Sequence, residues 1–306
     1  MSTARPLNAV IIGAGGRMGR ALIRAVAEIP SEMHVCGAVV STTSKSLGQD
    51  AGELAGIGRL DVRVTDDLAA ALAYAEIVID FSQPHATRSN LAVCRAARKP
   101  LLIGTTGFPA ELTSAFDEAA AEIPLLVAPN TSIGVTLLLE LTRMAAKALP
   151  ADFDIEIVEA HHRMKKDAPS GTALALGKAA AEGRSAVGVA RSDAADGRRG
   201  TKRLGAGLAP LLSDKPATQS TTDAVVTNRS GERHQGDIGY AVIRGGDIVG
   251  DHTVLFAGTG EQITLGHRAT DRAIFARGAA RAALWLARQS PGRYNMRDFL
   301  GLKTST

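Results

Sequence analysis

The chain has 306 residues, 45% of them hydrophobic and 22% charged, with 35 Lys+Arg against 31 Asp+Glu. That length predicts two domains or one large one, and the composition excludes wholesale disorder. The net charge of +4 is no footprint of a polyanion partner: residues 184–203 hold six basic side chains against two acids, and the rest of the chain is neutral.

The first 130 residues alternate two periods. Short apolar runs at Asn8–Ile12, Met33–Val40, Glu76–Phe81, Leu101–Gly104 and Leu125–Ala128 are separated by helical patterns at Arg17–Ile29, Pro84–Ala97 and Pro109–Glu122. Continuous apolar strands divided by helices predict a Rossmann-like, doubly wound parallel sheet covered on both faces. Pro84 and Pro109 suit first helical turns, where a missing N–H costs nothing. After Pro129 the pattern changes. A long apolar-rich helix at Ser132–Leu149 leads to a half-alternating strand at Asp154–Glu159, a helix at Ala173–Glu182 and strands at Gly239–Arg244, His252–Ala257 and Gln262–His267. Strands without intervening helices predict an α+β domain with a mixed or antiparallel sheet. A final helix, Arg272–Arg288, returns the chain to the first domain. The expected division is 1–131 plus 272–306 as a dinucleotide-binding domain, and 132–271 as a substrate-binding and oligomerisation domain. Within the latter, 184–223 is rich in Ala, Gly, Ser, Thr and Arg, is poor in periodicity, and reads as a loop insertion.

Cys36 and Cys94 each sit in an apolar run and read as two buried, reduced thiols, with no disulfide framework and no CxxC metal site. No run reaches the ~18 apolar residues of a membrane helix, and the N-terminal residues lack the apolar core of a signal peptide. The expectation is a cytoplasmic protein with no membrane and no nucleic-acid partner, since the basic stretch has neither aromatics nor helical periodicity.

Gly13, Ala14, Gly15, Gly16, Arg17, Met18 and Gly19 follow the first strand and open the first helix. Glycines there let a pyrophosphate approach the helix N-terminus, where free N–H groups and the helix dipole favour an anion. The spacing is not the strict GxGxxG, and a ligand-free Gly-rich turn is the competing reading. The second strand runs into Ser41 and Thr42 with no acid to hold a ribose diol. A ribose 2′-phosphate would not be repelled there, and Lys45 or Arg17 could meet it, so the cofactor is NADPH or NADH with a lean toward NADPH. Gly104, Thr105 and Thr106, and then Ala128, Pro129, Asn130 and Thr131, follow later strands, at the sheet edge where ligands bind in such folds.

The densest polar stretch runs from Glu159 through His161, His162, Lys165 and Asp167 to Ser170, Gly171 and Thr172. Adjacent histidines beside fixed cations can bind a small anion and move a proton near neutral pH. Ser170-Gly171-Thr172 at a helix start is a natural cradle for a carboxylate or phosphate. Zinc is disfavoured, because there is no HExxH and adjacent His side chains diverge; a phosphate-transfer enzyme is disfavoured by the lack of a P-loop.

The string Glu156-Ile-Val-Glu159-Ala-His-His-Arg-Met-Lys165-Lys-Asp167-Ala-Pro-Ser-Gly-Thr-Ala173 resembles the signature of the dihydrodipicolinate reductase (4-hydroxy-tetrahydrodipicolinate reductase) family. The likeness extends over Gly13–Arg20, Asp80-Phe81, Gly104–Phe108, Asn130–Val135, Gly236–Ala257 and Phe275–Leu286. It implies a reductase late in diaminopimelate and lysine biosynthesis, in which a nicotinamide delivers hydride to a small cyclic dicarboxylate that also loses water. It further implies that His161 is the acid/base group and Lys165 a proton donor or cationic partner. By the same resemblance His162 touches substrate, Gly171 and Thr172 hold a carboxylate, and 13–18, 104–106 and 128–131 line the cofactor. A homotetramer built through the second domain's sheet is implied as well. Two departures stand out: Ser41 and Thr42 replace the acid and base that often follow the second strand, and 184–223 is longer than in familiar members. A semialdehyde or amino-acid dehydrogenase would explain the glycine loop but not the His-His…Lys…Ser-Gly-Thr string. A dinucleotide-sensing regulator would need a module the sequence does not offer.

Overall fold

The computed structural model describes residues 5–109, 111–195, 226–227, 232–234 and 236–302. The chain divides into two compact units, Met1–Leu137 with Ala269–Thr306, and Leu138–Arg268.

In the first unit the elements are β1 (Leu7–Ile12), α1 (Arg17–Ala27), β2 (Met33–Val39), α2 (Ala51–Ala55), β3 (Val64–Thr65), α3 (Leu68–Ala71), β4 (Ile77–Asp80), α4 (Pro84–Ala96), β5 (Leu101–Ile103), α5 (Leu112–Ala120) and β6 (Pro124–Val127). Then α6 (Ile133–Ala148) carries the chain across the unit boundary. Pro84 takes the first turn of α4, as its fixed φ favours, whereas Pro109 lies ahead of α5 and its carbonyl accepts the Leu112 N–H. The strands form one parallel sheet in the order β12-β6-β5-β4-β1-β2-β3, with β12 contributed by the returning C-terminal segment.

Both faces of this sheet are covered, which is why its strands are apolar without interruption. On β1, Ala9 and Ile11 face one layer with Leu22, Ile23 and Val26 of α1, while Val10 and Ile12 face the other with Leu91, Leu112 and Phe116. Cys94 is buried in the second layer and Cys36 is half-buried; both are free thiols. The strand order reverses between β1 and β4, so the carboxyl ends of these two strands flank a topological switch point.

The second unit contains β7 (Asp154–His161), α7 (Gly171–Ala195), β8 (Val226–Thr227), β9 (Ile238–Arg244), β10 (Gly250–Gly258) and β11 (Glu261–Ala269), in a sheet ordered β11-β10-β7-β9-β8. The sheet is mixed, because β7 pairs antiparallel with β10 and parallel with β9. Burial on β7 alternates strictly, with Ile155, Ile157, Glu159 and His161 on the covered face. Ile155 and Ile157 pack there with Leu138, Leu176, Tyr240, Val254 and Phe256.

The expected loop insertion at 184–223 needs correction. Helix α7 continues through 184–195; residues 196–223 lie outside the described residues. Ala, Ser and Arg sustain a helix without an amphipathic stripe, and Arg184 is an anchor whose guanidinium donates to the Phe153 carbonyl and, at 3.1 Å, to that of Gly236.

The chain then returns to the first unit through α8 (Ala273–Leu286), β12 (Gly292–Tyr294) and α9 (Met296–Phe299). The face α8 buries is almost wholly Ala276, Ala279, Ala280, Ala282 and Ala283 with Gly278, so the helix lies close to its neighbours. At Gly278 the approach is closest, since a Cβ there would sit 1.9 Å from the Thr131 carbonyl oxygen. Helix propensity alone favours Gly→Ala by about 0.5–1 kcal/mol, but forced overpacking costs about 1–3 kcal/mol. Gly278→Ala is therefore expected to destabilise the protein, read as a lower denaturant midpoint; an unchanged or higher midpoint would contradict this packing.

Candidate active site

The first unit presents a cradle at the switch point. Gly13 has φ +81° and its N–H donates to the Val39 carbonyl at 2.9 Å, as the Ala14 N–H does at 3.1 Å. This ties the loop to the end of β2. A Cβ on Gly13 would lie 2.6 Å from the Phe81 carbonyl oxygen, and one on Gly19 would lie 2.2 Å from the Gly13 carbonyl oxygen. The glycines thus let the β1–α1 turn nest between α1 and the turn after β4. Gly16 occupies the cap of α1 with no side-chain bond, so the helix start presents backbone only. Arg17 is exposed there and Met18 packs into the core. Gly15 lies beside the segment after β2, within 3.2 Å (from an ideal Cβ) of Ser46 Oγ and 3.5 Å of Ser44 Oγ. Ser41 and Thr42 are exposed in that segment.

The other expected cofactor residues fall at the same sheet edge. Gly104 follows β5 against the Phe81 ring, Thr105 is buried with its hydroxyl donating to the Ser82 carbonyl at 3.2 Å, and Thr106 is exposed. Ala128 is buried after β6 and Pro129 is exposed. Asn130 Oδ1 accepts the Ser132 N–H at 2.9 Å. Thr131 is buried, and its hydroxyl donates to the Phe275 carbonyl at 2.7 Å, so that side chain fastens α8. One residue here had no role in the sequence reading. Asp80 is wholly buried and accepts the Ser82 N–H at 2.8 Å and the Asn90 amide at 3.0 Å. Burial pushes its carboxyl above the ordinary range, since these bonds bring no cation. It braces the turn that touches Gly13.

The second unit gathers the polar stretch. His161 is the last residue of β7, so the strand runs two residues further than the sequence pattern predicts and fixes its ring on the covered face. Beside it, Glu159 has a fully buried carboxylate. His161 Nδ1 lies 2.5 Å from Glu159 Oε2, the Arg244 guanidinium donates to both oxygens at 2.8 and 2.9 Å, and the Ser170 N–H donates at 3.0 Å. Burial alone would raise the Glu159 pKa, but the bonds from Arg244, His161 and Ser170 hold it below the ordinary range. His161 is held below its ordinary 6.5 by burial and by the Lys165 and Arg244 charges, against the pull of Glu159. His252 stacks edge-on to His161, ring centroids 5.1 Å apart, and is pushed down to about 4, first by burial and then by the His161 charge.

Lys165 Nζ donates to both Asp167 oxygens at 2.9 and 2.8 Å, and Arg244 donates to the Asp167 carbonyl at 2.6 Å, so the loop after β7 is pinned by ionic contacts. His162 is half-buried, and its carbonyl accepts the Lys165 N–H at 3.1 Å. Gly171 and Thr172 open α7. Ser170 differs from its expected role as a ligand hydroxyl. It is 2% exposed, its Oγ accepts the Ala173 N–H at 3.2 Å and lies 3.0 Å from His252 Nε2, so the side chain is an N-cap turned inward. Glu159, Arg244 and His252 had no assigned role in the sequence reading. The signal for Glu159 was its place two residues before His161 on a strand; Arg244 and His252 are brought in only by β9 and β10. Among the described residues no three His, Cys, Asp or Glu side chains are gathered as a metal cage.

The profile described as "Dihydrodipicolinate reductase, N-terminus" matches residues 7–131, and that described as "Dihydrodipicolinate reductase, C-terminus" matches 134–300. The 4-hydroxy-tetrahydrodipicolinate reductase of Alkalilimnicola ehrlichii is 49% identical over 294 residues, covering 95% of this chain and 98% of that protein. The 4-hydroxy-tetrahydrodipicolinate reductase 1 of Mesorhizobium japonicum is 46% identical, covering 99% and 100%. Among solved structures, the dipicolinate-bound dihydrodipicolinate reductase of Paenisporosarcina sp. TG-14 has the same fold, with TM-score 0.68 at 23% identity over 95% of this chain and 97% of that one. Two profiles that together span both units, and relatives close to half identical over almost the full length, agree with the site: the chain belongs to the dihydrodipicolinate reductase family.

Proposed function

We propose that the chain reduces 4-hydroxy-tetrahydrodipicolinate to tetrahydrodipicolinate with NAD(P)H, in the cytoplasm, as a step of the diaminopimelate and lysine pathway. The first unit holds the cofactor and the second holds the ring. The observation that carries the chemistry is the buried Glu159–His161 pair beside Lys165 at the start of α7.

The β1–α1 turn fits a dinucleotide. It is built of glycines whose Cβ atoms would fill the approach, and it caps a helix with backbone alone. Residues 13–18 would take the pyrophosphate, and 104–106 with 128–130 would line the nicotinamide side. When bound, the reduced nicotinamide supplies a hydride. The hydroxylated ring loses water and gains that hydride and one proton, and His161 or Lys165 supplies the proton. Lys165 sets a positive charge against one substrate carboxylate, which competes with Asp167 for its ammonium. Gly171 and Thr172, at the positive end of α7, hold a carboxylate, and His162 touches the substrate. Ser170 contributes by fixing that helix start.

A preference for NADPH is part of this reading. It is supported by the hydroxyls of 41–46 beside Gly15, the exposed Lys45, and the lack of an acid at 41 or 42. A homotetramer is supported by the second sheet's other face. There Val158, Ala160, Ala241, Thr253 and Leu255 are half-buried and Ile243 is 50% exposed, so another copy of the chain would bury them.

Loss of nicotinamide absorbance that depends on the ring substrate tests the activity, and its absence would defeat the proposal. His161→Gln is expected to lower kcat by about 10²–10⁴-fold, the usual span for a general acid. Near-normal turnover would remove His161 from that role. Because the proton donor must be charged, kcat/KM is expected to fall as pH rises through the His161 pKa, which lies below 6.5. Lys165→Ala is expected to lower both kcat and substrate affinity. Ser41→Glu places a carboxylate where a 2′-phosphate would lie and is expected to raise KM for NADPH about tenfold or more while sparing NADH. Equal effects on both cofactors would contradict the preference.

A further inference from the structure

We propose that Glu159, clamped by Arg244, is the positioning residue of His161: it keeps the proton of the neutral imidazole on Nδ1 and leaves Nε2 as the atom that exchanges a proton with substrate. This rests on the reading of His161 as the acid/base group and adds the group that acts through it.

The sheet imposes the arrangement. Glu159 and His161 stand two residues apart on β7 and share its covered face. Arg244 on β9 is in register with His161, and His252 on β10 is in register with Glu159. Four polar side chains from three adjacent strands are therefore placed side by side by backbone pairing, not by loop conformation. At the centre, the Glu159 carboxylate has no solvent exposure. Oε1 faces the Ser170 N–H and one Arg244 nitrogen; Oε2 faces the other Arg244 nitrogen and His161 Nδ1. A carboxylate that already accepts three N–H bonds, two from a guanidinium, is an acceptor only. A ring nitrogen 2.5 Å from it must carry a hydrogen. The neutral His161 tautomer is thereby Nδ1–H, and its lone pair is on Nε2.

Nε2 has no hydrogen-bond partner among the described residues. It faces Gly250, where a Cβ would come within 3.1 Å of it. The neighbouring strand thus carries no side chain at the one place where it would crowd the reacting nitrogen.

The groups around His161 divide by role. Lys165 and Asp167 come from the following loop, Arg244 from β9, and His252 from β10, with Asp251 and His267 acting on His252. His252 is buried and fixed to Ser170 Oγ, so it walls the ring without adding charge. Burial favours the neutral His161 ring, and Arg244 offsets the Glu159 charge that would favour an imidazolium. The clamp therefore yields an imidazole of fixed tautomer that is still able to give and take a proton. The competing reading is that Glu159 only pairs with the half-buried Arg244, with His161 a bystander.

Two measurements separate these readings. In ¹⁵N-histidine-labelled enzyme, with the His161 resonances assigned by their loss in His161→Gln, the neutral ring is expected to show its N–H on Nδ1; an Nε2–H tautomer in the free enzyme overturns the proposal. In kinetics, Glu159→Gln is expected to lower kcat about 10- to 100-fold, the usual cost of losing an orienting partner, with KM changed far less. In a His161→Gln background the same substitution is expected to add less than about threefold, because residues acting as one unit are not additive. A loss from Glu159→Gln as large in the double variant as in the single one would show that Glu159 does not act through His161. Full activity in His161→Gln itself would defeat the acid/base reading instead, and the tautomer measurement stands apart from that result.

Discussion

The structure of the second unit depends on one buried carboxylate. Glu159 is removed from water entirely, and such a charge is tolerated only when every lone pair is met. Its partners are Arg244 from β9, His161 from its own strand and the Ser170 backbone at the start of α7. Satisfying Glu159 therefore joins β7 to β9 and sets where α7 begins. The start of α7 at Gly171 and Thr172 and the ring of His161 are placed by the same group. Breaking a buried pair of this kind by removing one partner costs about 3–5 kcal/mol, mostly from the charge left behind. That magnitude outweighs a single surface ion pair, typically about 0–1 kcal/mol, and makes Glu159 part of the unit's core.

The first unit meets a similar need differently. Asp80 is also fully buried, but only neutral donors reach it, so burial raises its pKa, whereas Arg244 and His161 lower that of Glu159. One acid braces a turn and the other organises a charged site. The Asp80 brace fixes the Ser82 turn, whose backbone meets Gly13 and Thr105. Small residues serve the same purpose at α8, where alanines and Gly278 bring the helix close to Thr131.

Much of this was legible in the residues. Apolar runs such as Leu101–Ile103, uninterrupted because helices cover both faces, announced the parallel sheet. The glycines at 13, 15 and 16 lie at its first turn. The string from Glu159 to Thr172 carried the family. What stayed hidden depends on pairing between distant strands: Arg244 meets Glu159, and His252 stands opposite it, only through the registers of β9 and β10 against β7. Ser170 looked like a ligand because Ser-Gly-Thr precedes a helix, yet a capping hydroxyl that also meets His252 is already used. The helix through 184–195 was missed because alanine-rich sequence forms helix without the apolar stripe that periodicity detects.

As an acid/base group, His161 is neutral in the free enzyme and becomes charged when a dianion is bound. Burial, Lys165 and Arg244 hold its pKa low, and two substrate carboxylates would raise it. The most direct measurement is the proton balance of binding. Pyridine-2,6-dicarboxylate is titrated near pH 7 by calorimetry in buffers of different ionisation enthalpy, for the unaltered enzyme and for His161→Gln. Proton uptake is expected to approach about one per site and to be lost in the variant. Binding with no uptake, or uptake undiminished by His161→Gln, would contradict that role.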